Sequence, residues 1–204
     1  MTKTRGYAAL AARADLTPFE FERRALRDTD IGFTIDFAGI CHSDIHQVRE
    51  EWGPALFPMV PGHEIVGTVT GVGSKVTSFK VGDSIGVGVF IDSCRKCANC
   101  LKGLQQYCLE GMTGTYNGYE RNSQTIAFGG YSNYFVIEEG YAVKVPSNLD
   151  PAGVAPLLCA GLEGRPHFKS CGDGTWRPRS YGRQVRCSSR CGSYGLFALC
   201  SQGS

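Results

Sequence analysis

Apolar and polar side chains alternate along this chain in short, recurring runs. Phe19-Glu20-Phe21-Glu22 and Phe33-Thr34-Ile35-Asp36-Phe37 step with a period of two, as strands with one buried face do. Ile65 to Val72 is rich in Val and Thr and is interrupted by Gly67 and Gly71. A further β-like run opens at Val81-Gly82-Asp83 and continues through Ile91; Tyr131 to Ile137 and Tyr141 to Val145 add two more. Pro61-Gly62, Val72-Gly73-Ser74 and Gly129-Gly130 mark turns between them. Asp44 to Glu51 predicts a short helix. Pro151 to Ala160 predicts another, with Asp150 as N-cap and Pro151 at the first helical position. The texture is that of a mainly β domain, a compact irregular β-barrel with short helices.

This pattern ends near Gly161. Residues 1–161 carry 14 Lys/Arg against 17 Asp/Glu, a net charge of −3, whereas residues 162–204 carry 7 against 2, a net of +5. Of the last 43 residues, 24 are Gly, Ser, Arg or Cys, and no useful apolar period runs through them. Such a segment buries too little surface to offset its ordering entropy. The chain therefore divides into a domain at 1–161 and an unpatterned basic tail at 162–204. The tail reads either as a basic arm for an acidic partner or as disordered or non-native sequence foreign to the fold, and its composition favours the second.

Composition narrows the class. A net charge of +2 over 204 residues argues against a dedicated nucleic-acid or membrane-surface partner. The apolar stretch near the N-terminus is short, mostly Ala and broken by Arg13, so it fails as a secretory segment. Ile85 to Ile91 is far too short to span a bilayer. The expectation is a soluble, cytoplasmic protein, and in a reducing compartment clustered cysteines bind metal more often than they form disulfides.

That matters because there are 10 cysteines. Four of them, Cys171, Cys187, Cys191 and Cys200, fall in the tail. Cys94-x2-Cys97-x2-Cys100-x7-Cys108 places four thiols within 15 residues, the donor number and type of a closed structural zinc site. Lys96 and Lys102 stand close enough to offset some of its negative charge. A disulfide pair, inert thiols or an iron–sulfur cluster are the competing readings. A second constellation surrounds Gly39-Ile-Cys-His-Ser-Asp-Ile-His46 and Gly62-His63-Glu64: three of the four histidines, His42, His46 and His63, lie within 22 residues. Two cysteines with one histidine can hold a catalytic zinc and leave a position open. Cys41 and His63 then need a second cysteine. Cys159 is the candidate outside the four-cysteine group and the tail, although a lone Cys on an apolar stretch is commonly a small buried hydrophobe.

These residues together resemble the N-terminal part of the zinc-dependent medium-chain alcohol dehydrogenases. Gly62-His63-Glu64-x2-Gly67-x5-Gly73-x2-Val76 matches that family's zinc signature, and the four-cysteine spacing matches its structural-zinc lobe. Pro18-Phe-Glu-Phe-Glu-Arg23, Gly39-Ile-Cys-His-Ser-Asp44, Phe57-Pro-Met-Val-Pro-Gly-His-Glu64 and Pro156-Leu-Leu-Cys-Ala-Gly161 are similar to the cinnamyl alcohol dehydrogenase branch, from about Tyr7 to Gly161. The resemblance implies a GroES-like barrel with two zinc ions per chain, one catalytic and one structural. It implies that Cys41, His63 and Cys159 ligate the catalytic zinc, that Asp44 orients His63 and that Glu64 sits behind the metal. Ser43 and His46 would relay the alcohol proton, His42 would lie near the cofactor pyrophosphate, and Trp52 and Phe90 would line the substrate pocket. The implied reaction is reversible hydride transfer between a primary alcohol or its aldehyde and NADP(H).

The resemblance stops at Gly161. A nucleotide-binding Rossmann domain needs Gly-x-Gly-x-x-Gly between a strand and a helix. Gly71-Val-Gly73 and Gly172-Asp-Gly174 both lack the third glycine. The expectation is a truncated family member without that domain and with little turnover of its own. The alternatives are a non-enzymatic zinc-binding fragment or interaction module, and a disulfide-rich binding protein.

Overall fold

The computed structural model describes residues 1–121 and 123–161; the predicted tail lies outside the described residues. Among the described residues nine strands and three short helices follow one another. They are β1 (Thr2–Ala8), β2 (Thr17–Arg23), β3 (Asp30–Ala38), α1 (His42–Val48), β4 (Ile65–Val72), β5 (Ser84–Val87), β6 (Phe90–Asp92), α2 (Ala98–Leu101), β7 (Thr113–Gly114), β8 (Tyr134–Glu138), β9 (Val143–Lys144) and α3 (Pro151–Val154). The central sheet is antiparallel throughout and runs β8-β3-β4-β5-β9; β1 pairs with β2, and β6 with β7.

The mainly β expectation agrees with this, and the alternating runs at Phe19, Phe33 and Ile65 all lie on strands. Several predicted elements differ in detail: the helix expected over Asp44 to Glu51 is α1 at His42–Val48, and of the run Tyr141 to Val145 only β9, Val143–Lys144, is strand. The run from Val81 to Ile91 is two strands, because β5 pairs with β4 and β9 whereas β6 turns away to pair with β7. Tyr131 precedes β8 rather than opening it, since its N–H is taken by the Pro61 carbonyl at 2.9 Å. The helix predicted from Pro151 is a single α turn followed by a 3-10 turn at Ala155–Leu158, although Asp150 does cap it, accepting from the Ala152 N–H at 3.2 Å.

The core lies on one face of the sheet. Ile31, Phe33, Ile65, Ile85, Phe135 and Ile137 are fully buried, and the rings of Phe33 and Phe135 meet at 5.7 Å. Full burial of such side chains contributes about 1.5–3 kcal/mol each before entropy is counted. A second cluster, of Val66, Val145, Val154, Ala155 and Leu158, fastens the α3 segment to the sheet.

Two polar devices tie the layers together. Asp30 is wholly buried at the start of β3 and accepts from the Arg24 and Arg27 side chains and from the Arg27 N–H at 2.7 Å. Arg23 is buried; its guanidinium donates to the carbonyls of Phe128 (2.7 Å), Gly129 (2.9 Å) and Tyr134 (3.1 Å) and lies over the Phe135 ring at 4.3 Å. Burial draws the Arg23 pKa down to about 9, so it remains charged at neutral pH.

Register explains where a site can form. Ala38 pairs with Ile65, so the end of β3 and the start of β4 share one edge of the ladder. Cys41 follows that end by three residues and His63 precedes that start by two. A register shift between Ile35 and Phe37 makes a bulge just before the site. On the other flank Thr34 pairs with Tyr134, which brings the run at 129–131 back to the same edge.

Candidate metal centre

Cys41, His63, Glu64 and Cys159 each direct one donor atom into a common space, all within 4.8 Å of one another. Three segments deliver them. Cys41 is the N-cap of α1, with Asp44 in the first turn accepting from the Cys41 N–H at 3.1 Å. His63 and Glu64 lead into β4. Cys159 follows Leu158, which is anchored in the second core cluster against Gly86. The Cys41 and Cys159 sulfurs are 4.0 Å apart, although 118 residues separate them. Gly39 makes room for the Glu64 carboxylate: a Cβ there would lie 2.2 Å from Glu64 Oε2.

His63 is 3% exposed, and its two ring nitrogens have different surroundings. Nδ1 lies 3.0 Å from Asp44 Oδ1. Nε2 is buried with no hydrogen-bond partner among the described residues. Burial opposes a charged imidazole, but the hydrogen bond and charge of Asp44 win and lift the His63 pKa to about 9. A buried ring nitrogen facing two thiols and a carboxylate is the donor set of a divalent soft-to-borderline cation. Two sulfurs each about 2.3 Å from a tetrahedral zinc stand roughly 3.8 Å apart, close to the separation seen. The residues present thus fit zinc.

Asp44 is itself buried and saturated. Oδ1 accepts from the Gly62 N–H (3.0 Å) and faces His63; Oδ2 accepts from the Cys41 N–H and from the Tyr131 hydroxyl (2.9 Å). The Tyr116 ring stacks on His63 at 5.9 Å, and its hydroxyl is near enough to Asp44 to act on the carboxylate. Burial pushes Asp44 up, but these donors, His63 first, hold it below the usual carboxylate range.

The other residues singled out in the sequence lie around α1 and the four-cysteine lobe. Ser43 Oγ is 3.5 Å from Cys41 Sγ. His46 pairs through Nδ1 with Glu51 and stacks between His42 (4.6 Å) and Trp52 (4.8 Å) at the surface. Trp52 is among the most exposed apolar side chains. Phe90, on β6, meets Tyr141 edge to face at 5.7 Å, and the Tyr141 hydroxyl is 2.7 Å from Ser93 Oγ; these contacts tie Phe90 to the lobe. Tyr116, Tyr131 and Glu51 were missed in the sequence. No local spacing marks the tyrosines, because 87 residues lie between Tyr131 and its partner.

The lobe gathers Cys94, Cys97, Cys100 and Cys108, again with all donors within 4.8 Å, and none forms a disulfide. The Cys94 and Cys100 sulfurs are 3.8 Å apart. Backbone amides point at the thiols: Cys97 N–H to Cys94 Sγ, Cys100 and Leu109 N–H to Cys97 Sγ, and Cys94 N–H to Cys108 Sγ, all at 3.3–3.5 Å. The amides of Leu109 and Cys100 hold the Cys97 thiol down, and that of Cys94 does the same for Cys108, whereas desolvation lifts Cys94. Thiols so arranged ionise together only with a cation among them, so the lobe also fits a metal. Of the two lysines expected to offset its charge, Lys96 pairs with Glu110 at 3.1 Å.

Comparison with known proteins agrees with this geometry. Residues 27–147 match the alcohol dehydrogenase GroES-like domain. The NADP-dependent alcohol dehydrogenase C 1 of Mycolicibacterium smegmatis is 53% identical over 163 residues, 79% of this chain and 46% of that protein. Cinnamyl alcohol dehydrogenase 8 of Arabidopsis thaliana is 48% identical over 157 residues, 77% of this chain and 43% of that protein. The solved cinnamyl alcohol dehydrogenase of Sorghum bicolor superposes with a TM-score of 0.76 at 44% identity, covering 78% of this chain and 45% of its own. The Helicobacter pylori enzyme complexed with NADP(H) does so with a TM-score of 0.76 at 40% identity, covering 78% and 46%. The chain thus spans less than half the length of these curated relatives. No helix among the described residues is long and apolar enough to cross a membrane. From residue 27 to residue 147 and in its fold, the chain belongs to the alcohol dehydrogenase GroES-like domain family.

Proposed function

We propose that residues 1–161 form the metal-binding catalytic domain of an oxidoreductase that interconverts primary alcohols and aldehydes with NADP(H). The observation that carries this reading is the partnerless, buried His63 Nε2 facing Cys41, Cys159 and Glu64. Cys41, His63 and Cys159 would hold a zinc ion, which supplies a Lewis acid for the substrate oxygen; Cys94, Cys97, Cys100 and Cys108 would hold a second, structural one. NADP(H), bound by residues beyond this domain, supplies or takes up the hydride. Asp44 holds the proton on His63 Nδ1 and so leaves Nε2 free as a donor. Glu64 adds a negative charge behind the site. The Ser43 hydroxyl, beside Cys41, would accept the alcohol proton as it passes its own on, by way of the cofactor ribose, to His46, which is half-buried, paired with Glu51 and would release it to solvent. His42, exposed at the start of α1, would lie near the cofactor phosphates, and Trp52 and Phe90 would contribute apolar surface for the substrate. That no disulfide joins any of the six described cysteines suits the reducing cytoplasm.

The 204 residues hold no Gly-x-Gly-x-x-Gly, so by themselves they are expected to bind metal and to turn over little. Metal analysis of the purified chain tests the reading: two zinc ions per chain support it, and Cys41→Ser should leave one. One zinc in the unaltered chain would reduce the reading to a non-enzymatic zinc lobe, and none would favour disulfides. Clear NADPH-dependent reduction of cinnamaldehyde by this chain alone would overturn the expected inactivity.

A further inference from the structure

The Asp44 carboxylate is the only described side chain that fixes the His63 ring through Nδ1, and it is itself held from several sides. Its Oδ1 is shared by the Gly62 N–H and His63, so the force that keeps the carboxylate plane in place must come through Oδ2. There it meets the Cys41 N–H at 3.1 Å and, at the shorter distance of 2.9 Å, the Tyr131 hydroxyl. Tyr131 is well placed to act as a fixed point. Its run is laced to the run before His63 by Gly129 N–H to the Val60 carbonyl (2.7 Å), Gly130 N–H to Gly62 (2.8 Å) and Tyr131 N–H to Pro61 (2.9 Å). Its ring closes over Gly62, which has φ +101 and where a Cβ would lie 2.6 Å from Tyr131 Cδ1. The Tyr116 ring stacks on His63 at 5.9 Å, with its hydroxyl near enough to Asp44 to act on the carboxylate. Both phenols are buried.

We infer that Tyr131 and Tyr116 are a pair of positioning residues: their phenols fix Asp44, Asp44 fixes His63, and the affinity of Cys41, His63 and Cys159 for a divalent ion depends on both. A hydrogen-bond donor to a buried carboxylate contributes more than a neutral pair would. Without it the carboxylate swings toward its remaining donors, and the imidazole loses the orientation that aims Nε2 into the cluster. The inference rests on reading that cluster as a metal site.

The test is a cobalt(II) titration of the full chain against a competing chelator, followed in the visible d–d bands. Cys41→Ser serves as the blank, so that thiols elsewhere in the chain cancel. Four proteins are compared: unaltered, Tyr131→Phe, Asp44→Asn and the double variant. Tyr131→Phe keeps the ring and removes only the hydroxyl. The expected result is affinity weaker by roughly tenfold at this site, unchanged cobalt binding by the four-cysteine lobe, and no further loss when Tyr131→Phe is added to Asp44→Asn. Equal affinity in Tyr131→Phe and the unaltered chain would overturn the inference, as would full additivity in the double variant, which would mean that the phenol does not act through Asp44. Should Tyr131→Phe fail to fold, seen as loss of the lobe's own bands, Tyr116→Phe takes its place under the same criteria, since it leaves the 129–131 run untouched. If the unaltered chain shows no signal above the Cys41→Ser blank, it is the metal-site reading that fails, and the inference falls with it.

Discussion

Replacing Asp30 by Asn removes the charge from a wholly buried carboxylate that pairs with two arginines. The Asp30 side chain is 0% exposed, whereas those of Arg24 and Arg27 are 22% and 52% exposed. Breaking a buried pair by removing one partner costs about 3–5 kcal/mol. The two guanidinium groups left behind can turn to water, so the lower end applies, about 3 kcal/mol. At about 2–4 °C per kcal/mol for a domain of this size, the melting temperature should fall by roughly 6–12 °C. The acid limb provides a second reading. Burial favours the protonated form of Asp30, but the hydrogen bonds from Arg27 and Arg24 outweigh it and depress its pKa. A depressed carboxylate contributes stability above its unfolded value, near 3.9, and loses it as pH falls through the folded value. The unaltered chain should therefore lose stability steeply below about pH 4, and Asp30→Asn should lose it less steeply. Circular-dichroism melts of the metal-loaded chain between pH 3 and 7 measure both. A shift below about 2 °C with an identical acid limb would refute the reasoning.

Three further outcomes follow from the packing. Gly67→Ala sets a Cβ 2.0 Å from the Thr34 carbonyl oxygen and 2.6 Å from the Phe33 ring, between two paired strands that cannot part; the urea midpoint should fall by the equivalent of about 1–3 kcal/mol. Gly39→Ala meets instead the Glu64 carboxylate, a side-chain end that can move, so stability should change by less than about 1 kcal/mol while the cobalt spectrum of the Cys41 site shifts; an unaltered spectrum would show that Glu64 is remote from the ion. Stripping metal with a chelator should speed amide exchange across residues 93–112, whose thiol–amide contacts replace a hydrophobic core, and leave β3 and β4 protected.

Strands carrying large apolar residues at every second position, such as Phe33-x-Ile35, were legible from the chain alone. Strand β1 was not, because its buried positions are Thr4 and Ala8, which carry little hydrophobic signal. The break between β5 and β6 was equally silent, since apolar residues continue across it and only the change of pairing partner separates the strands. The four-cysteine lobe announced itself because its donors are sequence neighbours. Cys159 showed itself only by elimination and through the resemblance of Pro156-Leu-Leu-Cys-Ala-Gly161, since on composition a cysteine there looks like any small buried residue; the fold sets its sulfur 4.0 Å from Cys41. Tyr131 had even less to mark it, since its hydroxyl matters through a carboxylate brought near by β3 pairing with β8.

The buried guanidinium of Arg23 gives the first hairpin a role that its position in the chain conceals. The family match begins at residue 27, after that hairpin. Yet the carbonyls of Phe128, Gly129 and Tyr134 that bracket Tyr131 find their donor in Arg23. A chain trimmed to the matched boundary would take the guanidinium donor from all three carbonyls, leaving the Ser132 hydroxyl to those of Gly129 and Tyr134, and slacken the stretch that leads to Asp44. Lysine is no substitute, because a compact ammonium cannot span three carbonyls and lie flat on Phe135 as a planar fork does. The amino-terminal hairpin is thus a keystone of the candidate metal centre, to whose four donors it adds none.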